Sequence, residues 1–235
     1  VGALTETRDN FFNYYVPKFL GKNHSFWIEK VIQKLEMEDE GWFVPELLQM
    51  VKNQPSHEIA SHSFSHVPFS SLTTKEALDE LSLVKAWYQN HDVDCKTFIF
   101  PRNIVAHQEF LKDIGIIKYR ASPNTNILLN RFIEELLIFK KSEPYPSPRD
   151  IAIPGGVFIN WKHGWRNCIP SKISLSKYKH MLLDAKTNYQ CAHFWFHPIN
   201  LIASSKTKYI FTELCKLIGQ EIQQGNLKIK LFNNY

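Results

Sequence analysis

Short apolar runs rich in β-forming residues alternate along this chain with longer stretches of helical periodicity, and that alternation predicts an α/β fold with mainly parallel strands. Strands are expected at Val1–Leu4, Glu58–Ser61, Thr97–Phe100, Lys118–Arg120, Ile151–Ile153, Ala192–Phe196 and Leu227–Leu231. The clearest helix runs from Thr74 to about Asn90. Thr73 and Glu76 have the spacing of a capping box, and Ala77, Leu78, Leu81, Val84 and Trp87 or Tyr88 recur at helical intervals. Further helices are expected at Phe26–Leu35, Pro45–Gln54, His107–Ile114, Lys177–Thr187 and Phe211–Gln224, the last closed by Gly225. Three prolines between Ser142 and Pro148 predict an extended surface loop. Because the strand-helix rhythm resumes directly after that loop, a single domain over 1–235 is expected.

A chain of 235 residues that is 44% hydrophobic can bury a core of that size, and with 22% charged residues and no apolar run near 20 residues it predicts no membrane span. The net charge of +5 comes from scattered lysines rather than a dense basic stripe, so nucleic acid is not an expected partner. Cys95, Cys168, Cys191 and Cys215 form no CxxC pair and no zinc-finger spacing, and are most simply read as buried thiols. The first residue is Val1 and no signal peptide follows it; the true N-terminus is expected upstream, and localisation stays open with a lean towards the cytoplasm.

Three motifs carry chemistry, each at an expected strand end. In His62-Ser63-Phe64-Ser65-His66 two imidazoles lie four residues apart; they converge if the residues between make one helical turn, and imidazole is a good zinc ligand. A chance histidine pair is the competing reading. The upstream His57-Glu58 is not an HExxH protease motif, because the next histidine is one position too far. In Phe98-Ile99-Phe100-Pro101-Arg102-Asn103 an apolar strand delivers an arginine at its carboxyl end, where it either orients a carboxylate through a bidentate pair or packs its stem on the rim. In Ala192–Asn200 the alternation places His197 on the same side as Trp195, which makes His197 a candidate general acid beside an aromatic wall. His193, one step deeper on that side, reads as a structural histidine.

In this order the three motifs resemble those of the NodB-like polysaccharide deacetylases, carbohydrate esterase family four. The family's His-Ser/Thr-x-x-His motif, which supplies two of three metal ligands, is matched by His62 and His66 after His57-Glu58-Ile59. Its arginine-and-proline motif corresponds to Pro101-Arg102 in altered order, and Phe100-Pro101-Arg102-Asn103 is similar to the variant found in deacetylases of surface-polysaccharide clusters. Its Leu-x-His motif fits Trp195-Phe196-His197, with Trp195 replacing leucine. The family's opening Thr-Phe/Tyr-Asp-Asp motif, which provides the general base and the third metal ligand, has no counterpart here. The aspartate of Arg8-Asp9-Asn10 lies too late to supply it, and Asp150, Trp161 and Trp165 lack the spacing of the family's aspartate-and-tryptophan motif.

The resemblance implies an irregular parallel (β/α) barrel of the NodB type without its first strand or two, acting as a metal-dependent hydrolase that removes an N-acetyl group from a sugar of a surface polysaccharide or its precursor. It implies zinc on His62 and His66, with a third ligand upstream of Val1; His197 as the acid for the departing amine; and Arg102 as the residue that aims the base. Pro101, Asn103, Trp161, Trp165 and Trp195 fall where substrate is held, the tryptophans being either stacking faces for a sugar ring or plain core residues. The 235-residue chain alone is expected to be inactive. The alternative, suggested by the missing aspartates, is a catalytically silent carbohydrate-binding or scaffold domain of the same fold.

Overall fold

The computed structural model describes residues 6–15, 32–33, 43–122 and 141–234. The expected strand Val1–Leu4 and nearly all of the expected helix Phe26–Leu35 lie outside them. The chain divides into two compact units, one of Val1–Ala121 with Asp150–Ile153 and Leu231–Tyr235, the other of Ser122–Arg149 with Pro154–Lys230.

In the first unit β1 (Thr97–Phe98), β2 (Lys118–Arg120) and β3 (Ala152–Ile153) pair in parallel in that order, Thr97 opposite Lys118 and Tyr119 opposite Ala152. Ser61 adds a parallel bridge on the free side of β1: its N–H donates to the Thr97 carbonyl at 2.9 Å, and its carbonyl accepts from Ile99 at 2.7 Å. The expected strand Glu58–Ser61 is reduced to that one bridge. Among the described residues the longer helices of this unit are α1 (Pro45–Lys52), opened by proline at its first position, and α2 (Thr74–Asn90).

Helix α2 starts at Thr73 because the capping box forms as its spacing predicts: the Glu76 carboxylate takes the Thr73 N–H at 2.7 Å, and the Thr73 hydroxyl accepts from the Glu76 N–H. Ala77, Leu81, Val84 and Tyr88 then face the core, as does Leu83, whereas Leu78 is exposed. They pack in a cluster with Phe69, Phe98 and Phe100, whose ring centroids lie 4.8 to 5.4 Å apart in edge-on contacts. One position on this buried face is charged. Glu80 is 1% exposed, so the helix brings a carboxylate into the core.

In the second unit β4 (Val157–Phe158) and β5 (Phe194–Trp195) pair in parallel, Val157 opposite Phe194 and Phe158 opposite Trp195. The helices α3 (Ser171–Asn188), α4 (Pro198–Ala203) and α5 (Ser205–Gln223) follow the same chain order as their flanking strands, and Val157, Ile159, Tyr178, Met181, Ile210 and Leu214 form the core. Gly156 has φ +72, and a Cβ there would lie 2.5 Å from the His193 ring and 2.8 Å from the His193 carbonyl. Only glycine lets β4 approach β5 so closely.

Several expectations need correction. Leu227–Leu231 is not a strand, and Ile229 within it is 70% exposed. His107–Ile114 is not an α-helix but a 3₁₀ segment over Gln108–Ile114, entered through a left-handed His107. α3 begins six residues before the expected start at Lys177, α5 begins six before Phe211, and the elements β4 and α4 were not expected. All four cysteines are free thiols, but only Cys95 is buried; Cys168 and Cys215 are exposed. Among the described residues no helix is long and apolar enough to cross a membrane.

Candidate metal site and its surroundings

The bridge at Ser61 fixes where the chain leaves the sheet, and His62 follows at once. The His62 Nδ1 lies 2.7 Å from the Ile99 carbonyl. That carbonyl can only accept, so Nδ1 carries the proton and Nε2 keeps its lone pair. A neighbouring carbonyl that fixes the tautomer in this way is a common support for a metal-binding histidine. The His66 ring meets that of His62 edge-on, with centroids 4.7 Å apart.

The two histidines converge by a different route from the helical turn expected of their spacing. Ser63 and His66 both adopt left-handed backbone conformations, φ 62 and 60, and the residues between form a bend. Such conformations cost a non-glycine residue roughly 1–2 kcal/mol and persist only when the surroundings hold them. Glu80 does so from α2. Its Oε1 accepts from the Ser63 hydroxyl at 2.8 Å, the Phe64 N–H at 2.8 Å and the Ser65 N–H at 2.7 Å. The Ser63 oxygen in turn accepts the His66 N–H at 2.9 Å, which closes the turn on itself.

Of the second motif, Pro101 is buried, while Arg102 projects into solvent from a left-handed backbone with φ 57. Asn103 is also left-handed, and its Oδ1 accepts a hydrogen bond from Arg120. Arg120, at the end of β2, is 7% exposed; burial pushes its pKa down to about 10, which leaves it charged at neutral pH. Its charge reaches His62. Burial above all, then the neighbouring His66 and Arg120, lowers the His62 pKa to about 4, against the pull of the Ile99 carbonyl, which favours the protonated ring. At neutral pH His62 is the uncharged ligand form. The arginine packed into this surrounding is therefore Arg120 and not the Arg102 of the motif.

Glu58 has a structural task, accepting from the Thr97 hydroxyl through one oxygen and from the Asn233 N–H through the other. Among the described residues no group of three or more His, Cys, Asp or Glu side chains is gathered as a metal cluster. The donor set that is present, two imidazoles with one lone pair directed by a carbonyl, fits a borderline-soft divalent ion such as zinc.

The remaining sequence candidates belong to the second unit. His197 is exposed at the start of α4, and its ring contacts Trp195 at 5.8 Å and Phe158 at 5.5 Å between centroids, both edge-on. Trp195 and His197 thus share the side that strand alternation predicts. His193 Nδ1 is 3.1 Å from the Pro154 carbonyl, consistent with a structural histidine. Trp161 is half-buried and stacks on His163 at 4.3 Å, whereas Trp165 is 46% exposed beneath the Arg166 guanidinium.

Two polar residues at this site, Glu80 and Arg120, were not singled out by motif. For Glu80 the available signal was a charged residue at a helix position that periodicity assigns to the core; for Arg120 the three-residue strand gave none. No family model, curated protein or solved structure matches the chain.

The His62 environment makes a pH prediction for the metal-free protein. Its folded pKa of about 4 lies below the ordinary value of 6.5, so the unfolded chain binds more protons between those limits, and this contribution to stability is complete above pH 6.5 and lost as the pH falls towards 4. The loss amounts to about 3 kcal/mol. Denaturant unfolding of wild type and His62→Asn, whose amide preserves a donor towards Ile99, is expected to show this slope in wild type only; parallel curves for the two proteins would refute it.

Proposed function

We propose that this chain belongs to a NodB-type (β/α) barrel enzyme, a metal-dependent hydrolase that removes an N-acetyl group from a sugar of a surface polysaccharide or its precursor. The observation that carries the reading is the His62 and His66 pair at a strand exit, with the His62 Nε2 lone pair left available by the Ile99 carbonyl. The order of the three sequence motifs supports it.

His62 and His66 would hold the ion. A zinc ion bound there supplies Lewis acidity for attack of water on the acetamide. The protein's own residues do the rest. Arg120 contributes a fixed positive charge beside the pair, suited to keeping a carboxylate ionised and aimed, the role that the motif alone assigns to Arg102. His197 gives its proton to the nitrogen of the departing amine. Trp195, and the exposed face of Trp165, suit the apolar side of a sugar ring.

The test is acetate release from a panel of N-acetylated saccharides by the full-length protein supplied with zinc. A chelator is expected to abolish release and added zinc to restore it. Saccharide binding without acetate release in any zinc-loaded preparation would replace this reading with the silent carbohydrate-binding domain.

A further inference from the structure

Glu80 is remote in sequence from every motif, yet it touches the histidine turn at three points. Its carboxylate is buried within α2, and one oxygen collects the Ser63 hydroxyl and the Phe64 and Ser65 N–H groups. The other oxygen, Oε2, is buried with no partner among the described residues. A buried carboxylate is retained at a cost, and three charge-assisted donors on one atom compensate for that cost. What those donors fix is informative. They belong to the three residues between His62 and His66, in a turn whose ends are two left-handed, non-glycine residues.

We infer that Glu80 is the positioning residue of the histidine pair: it anchors the turn from α2 and thereby sets the separation and angle at which His62 and His66 meet a metal ion. It touches neither the ion nor the substrate. This inference rests on the metal-binding reading, but its geometric half does not need metal. The helix and the turn are separate pieces of chain, joined here through one carboxylate, so a change at Glu80 moves His66 without altering either ligand. The contact also explains why a helix that otherwise buries apolar side chains spends a core position on a charge.

The experiment compares full-length wild type with Glu80→Ala, Glu80→Gln and, as a control of equal or greater cost to the core, Leu81→Ala from the same helix. Without metal, hydrogen exchange of the Phe64 and Ser65 amides and the cross-ring NOE between His62 and His66 are read by NMR. With zinc, affinity is read by chelator competition, and with cobalt, ligand geometry is read from the visible spectrum. Glu80→Ala is expected to lose amide protection and the ring contact and to bind zinc roughly 10- to 100-fold more weakly. Glu80→Gln retains an acceptor oxygen and is expected to recover most of both, while Leu81→Ala lowers stability and leaves both unchanged. Intact protection and ring contact in Glu80→Ala, or equal losses in Leu81→Ala, would overturn the inference. Loss of amide protection and ring contact in Glu80→Ala, when wild type itself takes up no zinc, would confirm the geometric role and count against the metal reading alone.

Discussion

Replacing His66 with alanine, or His62 with asparagine, is expected to weaken zinc binding by at least roughly a hundredfold and to abolish acetate release. The magnitude follows from what each change removes. Loss of a supporting hydrogen-bond partner alone commonly costs 10- to 100-fold in affinity, and here an entire ligand goes. Asparagine at 62 is the informative choice, because its amide can still donate to the Ile99 carbonyl while nothing replaces the Nε2 lone pair. The turn can therefore keep its shape while losing its ligand. The measurement is zinc content and affinity of the purified variants, with hydrogen exchange at Phe64 and Ser65 as the check that the Glu80 contacts survive. Wild-type affinity in both variants would remove the metal from this site, and with it the hydrolase reading.

Glu80 shows why the histidines could be found in the sequence and their geometry could not. A pair four residues apart after an apolar run is visible in a line of letters. Whether it converges by a helical turn or by a bend depends on a carboxylate 14 residues beyond His66, and no local pattern joins the two. The helix that carries the carboxylate was nonetheless legible, since the Thr73 and Glu76 box and the apolar positions 77, 81, 84 and 88 act locally. Read strictly, the same periodicity places Glu80 on the buried face. A charge there was the available signal.

Strands were less legible than helices for a physical reason. Leu227, Ile229 and Leu231 alternate as a strand should, yet a lone extended segment gains nothing until a neighbour accepts its hydrogen bonds, and the described structure gives this one no strand partner. β4 is the reverse case. Its two residues carry almost no pattern, and it exists because Gly156 lets the backbone come against His193, so that the Val157 and Ile159 N–H groups reach the His193 and Trp195 carbonyls at 2.8 Å. On β2 the alternation of Lys118, Tyr119 and Arg120 gives a strand but not its facing. Both charged residues turn out to be the buried ones, with the Lys118 ammonium reaching the Asp150 carbonyl at 2.5 Å and Arg120 reaching Asn103.

His197→Ala is expected to lower kcat on an N-acetylated sugar by about 10²- to 10⁴-fold with little change in KM, the usual cost of losing a positioned proton donor. Its side chain is exposed and its described ring contacts are the edges of Phe158 and Trp195, so the substitution removes little packing and the fold should persist. A fall in rate alone would not separate proton donation from a contact with the sugar. The leaving group does. An amine must be protonated as its bond to carbon breaks, whereas an aryl alkoxide departs without help, so the variant is expected to cleave an aryl acetate at close to the wild-type rate while failing on the sugar amide. Equal losses on aryl acetate and sugar amide would reassign His197 from proton donor to substrate contact, and near-normal kcat on the amide would remove it from the reaction.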